Sequence, residues 1–404
     1  MPSVNPEILI WARETAGMSL EEAAHKLEFK DSKKRTAAER LAAIEAGKEN
    51  PTRRILLNMA KKYRRPLVVF YLQAPPEKGD RGGDFRRAPG APPQSYDPKV
   101  DALIRDIRSR QILIRSLVED QDSSLLQFIG SAKMEIGVTE LASVIKNELK
   151  LHLDEFRNHR SVGNAFGYLR SKIESAGIFV ILAGNLGSWH TNIPAELFRG
   201  YAIADPLAPL IVINDQDAQA AWSFTALHEV AHLWLGATGI SGAPSIDIQI
   251  ESFCNDVAGE ILLPGDDLQE LSSVGSRPYE ELVTQVSNFA EARNISRSMV
   301  AYKLFRLDVI SEGKWRKLKN QFYKEWQEGQ EERKKSRQSQ ADDDSGPSYY
   351  VVRRHRLGHA LLGLVSRSLS EGIITYTKAG KVLGVKPRNV YPLLRELSYQ
   401  GDTL

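Results

Sequence analysis

Cysteine is almost missing from this 404-residue chain, where Cys254 stands alone. One thiol makes neither a disulfide framework nor a cysteine-rich zinc module. Long apolar runs are missing too. The strongest, Ile178–Ala183, falls far short of the roughly 20 apolar residues that cross a bilayer, so no membrane association is expected. The N-terminus lacks the charged stretch and apolar core of a secretory signal, and a cytoplasmic location is the expectation. No repeat of fixed period runs through the chain. What is present, 42% hydrophobic and 26% charged residues, is the composition of ordinary globular domains and excludes a fibre or a wholly disordered chain.

The net charge of +3 conceals an asymmetry. Residues 1–72 carry 14 Lys and Arg against 9 Asp and Glu, and residues 350–404 carry 9 against 3. The stretch between them is acidic by 8 charges. Basic ends suit a polyanion such as DNA, although solvated helix faces produce the same bias.

Patterning divides the chain into blocks. Residues 1–72 read as short amphipathic helices. Residues 73–98 form a Pro-rich linker, with Ala74-Pro75-Pro76 and Ala91-Pro92-Pro93 breaking any regular element. Residues 99–329 open with helical patterns over 100–126 and 139–150. Helix 163–176 follows, then strands at Ile178–Leu182, Tyr201–Ile203 and Leu210–Ile213, and then helices near 217–236 and 248–262 and on to about 329. Residues 330–348 are a polar connector, and 349–404 are again helical. The fold class is α+β: a mostly helical, multidomain chain with a small sheet in its central domain.

The sharpest motif is His228-Glu229-Val230-Ala231-His232, inside a stretch that reads as helix. Spacing i, i+4 puts both imidazoles on one helical face, where they can share one ion. Glu229 follows the first of them and is placed to act on a water at that ion without ligating it. These are the parts of a zinc hydrolase: the ion acidifies the water and polarises a carbonyl, and the glutamate takes the proton. Catalytic Zn2+ needs a third protein ligand, and Glu251, at the head of the second predicted helix, is the leading candidate. Asp247 and Asp256 are weaker alternatives, and an acid favoured by a helix N-terminus is the structural alternative for Glu251. Asn255, one turn on, is placed to hydrogen-bond the far nitrogen of a ligand histidine. Cys254, beside Phe253, reads as a small buried hydrophobe. His355 and His359 repeat the i, i+4 spacing without the glutamate and read as surface or packing residues.

Several separated motifs together closely resemble the ImmA/IrrE family of metallopeptidases. They are Gly200-Tyr201-Ala202-Ile203, Pro209-Leu210-Ile211-Val212-Ile213-Asn214, the run Phe224–Leu233 around the histidines, and Glu251…Asn255…Ala258…Leu262-Leu263-Pro264. By position, the resemblance implies zinc ligands His228, His232 and Glu251 and the catalytic base Glu229. It implies a small sheet whose edge strand lies near the zinc helix and pairs with an extended substrate, and 210–214 is the expected edge. Tyr201 and His190 are candidates for oxyanion stabilisation, with packing or a surface turn as the alternative. The expected partner is a protein substrate, a transcriptional repressor or a neighbouring-gene product.

The N-terminal block resembles an XRE-type helix-turn-helix domain in Ile8–Glu14, Gly17–Ala24, Ile44-Glu45-Ala46-Gly47 and Leu56–Ala60. Ser19 and Glu22 form a capping box there. The resemblance implies DNA binding by Lys33, Lys34 and Arg35, mostly to phosphate, and allows a homodimer. Phe29–Glu39 is long for the turn of such a domain. Residues 373–391 read as helix, turn, helix and leave three uses open: a nucleic-acid contact, a docking module, or a cap on the peptidase domain. Two functions follow: a zinc endopeptidase of narrow specificity tied to a DNA-binding domain, or a non-proteolytic, antitoxin-like DNA-binding regulator that holds a partner through its peptidase fold.

Overall fold

The structure is a computed structural model and describes residues 4–32, 34–76, 98–121, 123–188, 191–237, 244–339 and 348–395. It divides into two compact units, one of Met1–Arg81, Gly90–Ile107 and Asn185–Thr191, the other of Gly82–Pro89, Arg108–Gly184 and Asn192–Leu404. The second unit takes in the C-terminal block that patterning separates from the peptidase region. Among the described residues, no helix is long and apolar enough to cross a membrane.

The first unit is helical: α1 Pro6–Glu14, α2 Leu20–Lys26, α3 Ala37–Glu45 and α4 Arg53–Lys62. Ser19 caps α2 and Glu22 returns the bond, as the S-x-x-E spacing predicts. Thr36 and Glu39 do the same for α3. Ile8, Leu9, Ala12, Leu41, Ile44 and Met59 fill the core. The Arg13 guanidinium donates to Glu45 at 2.9 Å and to the Met18 carbonyl at 3.0 Å, which ties α1 to α3 and to the turn before α2. The described residues between α2 and α3 form no helix or strand, in keeping with the length of this stretch in sequence.

The second unit holds α5 (Pro98–Glu119) from Arg108 onward, then α6 Val138–Glu148, α7 Leu153–Arg157 and α8 Val162–Ser175. Strands β1 Phe179–Leu182, β2 Gly200–Ile203 and β3 Leu210–Ile213 follow, then α9 Gln219–Trp234, α10 Pro244–Leu262, α11 Tyr279–Ala292, α12 Arg297–Arg306 and α13 Glu312–Ser339. Mostly helical with a small sheet, this is the expected α+β class. The polar stretch after 330 begins as helix, because α13 continues to Ser339. Its Glu, Lys, Arg and Gln are strong helix formers, which favours continuation of the helix.

The sheet order is β1-β3-β2, with β1 parallel and β2 antiparallel to β3. This corrects the expectation that 210–214 is the edge: β3 is central and β2 is the edge strand beside α9. Leu210, Ile211, Val212 and Ile213 are all at most 1% exposed, as befits a strand paired on both sides and covered on both faces. Closeness in sequence to α9 does not decide which strand is outermost. The period of two along each strand sorts the side chains. Val180, Leu182, Ala202, Ile211 and Ile213 join the core formed with α8, α9 and α10. Tyr201, in register with Val212, lies on the opposite face.

The C-terminal helices are α14 Tyr349–Leu357, α15 His359–Ser370, α16 Tyr376–Leu383 and α17 Val390–Leu394. They dock on α8 and on the outer edge of β1, where a buried ion pair joins the two parts. Arg170 donates to the β1 carbonyl of Val180 and to the His355 and Arg356 carbonyls at the end of α14. It also bonds Glu174 at 3.0 Å, and Glu174 accepts from the His359 and Ala360 amides that open α15. One residue of each sign thus satisfies one helix end of matching polarity. Burial pushes the Arg170 guanidinium below its ordinary value and Glu174 works against that shift. The ring spacing of His355 and His359 plays no part in this contact, which uses their backbone.

Candidate metal centre

Helix α9 is apolar on nearly every side and is buried along most of its length, His228, Glu229 and His232 included. Its far end is fixed where Gly130 donates to Leu233 and Ala132 donates to Trp234, with Phe128 stacked on Trp234 at 4.4 Å. Such a helix holds its polar residues in rigid surroundings. The imidazoles of His228 and His232 face each other one turn apart, centroids 4.7 Å apart.

Helix α10 supplies Glu251. The sequence places this residue at a helix head, but α10 begins at Pro244, seven residues earlier. The helix-dipole explanation, which fades within one turn, therefore does not account for Glu251. Its carboxylate meets the two imidazoles, Oε2 3.3 Å from His228 Nε2 and Oε1 3.4 Å from His232 Nε2. The two Nε2 atoms are 3.0 Å apart. Ligands held tetrahedrally about 2.0–2.1 Å from zinc are about 3.3 Å from one another. Two imidazole nitrogens 3.0 Å apart, each 3.3–3.4 Å from one of the two Glu251 oxygens, match that spacing in size and in chemistry. Among the described residues this is the one group of three or more His, Cys, Asp or Glu with ligand atoms converging in this way.

Glu229 turns toward the start of β2. A Cβ on Gly200 would lie 2.8 Å from the Glu229 Cδ and 2.8 Å from Thr225 Cγ2, so only glycine admits the carboxylate there. Asn214, fully buried at the end of β3, holds the chain leading into that position. Its Nδ2 donates to the Ile193 and Phe198 carbonyls, both at 3.0 Å, and the Arg199 carbonyl accepts from its amide at 2.8 Å. Gly200 and Asn214 carry the geometry around Glu229 without carrying reactive groups. Motif reading for ligands passes over both, although a glycine that opens an otherwise apolar strand signals close approach.

Other expected residues lie elsewhere. Asp256 pairs with Arg306 of α12 at 2.8 Å, and burial raises its carboxyl against the pull of Arg306 and Lys303. The Asp247 side chain, His190 and Lys33 lie outside the described residues. Asn255 Oδ1 is buried and accepts no hydrogen bond among the described residues. Tyr201 departs from its expected place: strand alternation sends it to the sheet face away from Glu229, and its hydroxyl accepts from Arg108 Nε at 3.1 Å. Lys34 and Arg35 are exposed in the loop before α3, and Arg35 pairs with Glu49. Cys254 is fully buried.

Residues 188–305 match the peptidase M78 family model, described as the IrrE N-terminal-like domain. The match takes in β2, β3 and α9 through α12, with His228, Glu229, His232 and Glu251 all inside it. It supports the ImmA/IrrE resemblance for this segment, a metallopeptidase type of function and hence a metal ion and a protein substrate. No curated protein and no solved structure matches the chain.

Proposed function

We propose that the protein is a zinc-dependent endopeptidase of narrow specificity, acting on a repressor-like protein regulator and coupled to DNA through its N-terminal unit. The observation that carries this reading is the convergence of His228 Nε2, His232 Nε2 and the two Glu251 carboxylate oxygens at zinc-ligand spacing, with Glu229 next to His228 on the same helix. His228, His232 and Glu251 hold the ion. When bound, zinc lowers the pKa of a water and polarises a carbonyl. Glu229 accepts the proton from the attacking water and returns it to the leaving amine. β2 is the outer strand, and Gly200 at its start lies against the Glu229 carboxylate. An extended substrate added to β2 by backbone hydrogen bonds is drawn along the site, and its side chains alternate between the two faces. Demand for an extended segment restricts cleavage to proteins that expose one.

The helical order and the two capping boxes of the first unit support DNA binding, with Lys34 and Arg35 exposed ahead of α3 for phosphate contacts. Metal analysis of purified protein together with mapping of new protein N-termini in expressing cells tests the whole reading. Wild type is expected to hold stoichiometric zinc, His232→Ala to lose it, and Glu229→Gln to keep it while cleavage falls by about 10²-fold or more. A wild-type protein without divalent metal, or a Glu229→Gln protein that generates the same new N-termini, overturns it.

A further inference from the structure

The C-terminal block carries a cationic surface that plays no part in peptide cleavage. Between Ser348 and Arg395 the sequence has nine Lys and Arg and a single acid, Glu371. Three of the nine serve the fold. Arg353 donates to the Leu383 and Gly384 carbonyls at 2.9 Å, Arg354 reaches the Leu393 carbonyl at 3.4 Å, and Arg356 pairs with Asp215 at 2.6 Å.

Of the other six, Arg367 lies on α15, and Lys378, Lys381, Lys386, Arg388 and Arg395 lie on α16, its turn and the end of α17. Gly384 ends α16 in the left-handed region, at φ 62°. A Cβ on Gly380 would lie 2.8 Å from the Val385 carbonyl, so the chain leaving the turn crosses tightly over α16. A 3-10 turn over Pro387–Asn389 leads into α17. Ala379, Val382, Leu383, Val390 and Leu393 are fully buried. Lys386, Arg388, Tyr391 and Arg395 are exposed, Tyr391 to 60%. The turn and second helix therefore separate into an apolar inner set and an outer set with three cations, one aromatic and no acid. Two helices joined by a tight glycine turn, with the second facing outward, form the arrangement that lays a helix in the major groove.

We propose that α16, its turn and α17 form a surface for duplex DNA, in which Lys386, Arg388 and Arg395 engage phosphates and Tyr391 faces the groove. Single-sign charge selects a polyanion, and a helix enters the B-form major groove but not the deep, narrow one of A-form RNA.

The test titrates salt against binding of the full chain to a labelled random-sequence DNA duplex of about 30 base pairs, long enough to record the counterion slope. The triple variant Lys386→Ala/Arg388→Ala/Arg395→Ala is compared with wild type and with Lys34→Ala/Arg35→Ala. Loss of three phosphate contacts is expected to flatten the slope of log affinity against log salt by about 2–3 and to weaken binding at least about tenfold at low salt. The melting temperature stays unchanged, because the three side chains are exposed. DNA crosslinks are expected to map to 384–395. An unchanged slope and affinity in the triple variant, or tighter binding to an RNA duplex of the same length, overturns the assignment. The zinc site shares no residue with this surface, so that outcome leaves the peptidase reading intact.

Discussion

The two edges of the three-stranded sheet are treated in opposite ways. The β1 edge is closed: the Arg170 guanidinium takes the Val180 carbonyl, and Gly358 between α14 and α15 is packed so closely that a Cβ would lie 2.9 Å from the same oxygen. At the other edge no further strand pairs with β2 among the described residues, and the Glu229 carboxylate lies against its first residue. An edge strand invites pairing with another chain, so natural proteins cover edges they do not use. The edge that is sealed lies away from Glu229, and the one beside Glu229 is where a substrate strand has a purpose. The contrast explains why a C-terminal block distant in sequence belongs to the same compact unit as the metal centre.

The sealed edge gives the largest expected effect. Arg170→Ala leaves Glu174 buried with its ion-pair partner gone, and the unfolding free energy measured in urea should fall by about 3–5 kcal/mol. Replacing both residues by apolar ones of similar volume should cost less, because no charge is stranded. Should Arg170→Ala unfold at the wild-type midpoint, the clamp is not what holds the C-terminal block. The open edge comes next. Gly200→Ala forces a Cβ against Glu229 and should cut cleavage by about 10²-fold, the effect of misplacing a reacting group by about 1 Å, with zinc content unchanged. Equal rates for the two proteins would detach the β2 edge from catalysis. The smallest effect belongs to the chain leading into β2: Asn214→Ala strands the Ile193 and Phe198 carbonyls and should lower stability by about 1–3 kcal/mol, read by thermal or urea unfolding.

Local chemistry was legible in the sequence and long-range order was not. The i, i+4 spacing of His228 and His232 places both imidazoles on one face whatever surrounds the helix. Glu251 was legible as an acid that the next helix could bring back, but its helix starts at Pro244, about one turn earlier than its apolar pattern suggests. The three strands stand close to where their apolar runs predict, yet their order does not follow from those runs. Strand order depends on which neighbours complete the backbone bonds of β3, and each strand is only four residues long. Tyr201 shows the cost of a single step in register, since its neighbour Gly200 faces Glu229 and it faces Arg108. The Arg170 clamp joins residues 185 positions apart in sequence, and no local pattern announces a contact of that reach.

That clamp also bears on any attempt to isolate the catalytic portion. A fragment ending before Tyr349 would expose the outer side of β1 and strip Arg170 of two carbonyls and Glu174 of two amides. Trimming of that kind creates a sticky strand flanked by two charges that have lost their neutral partners. Insolubility of such a fragment would therefore say nothing about whether the intact enzyme cuts its target.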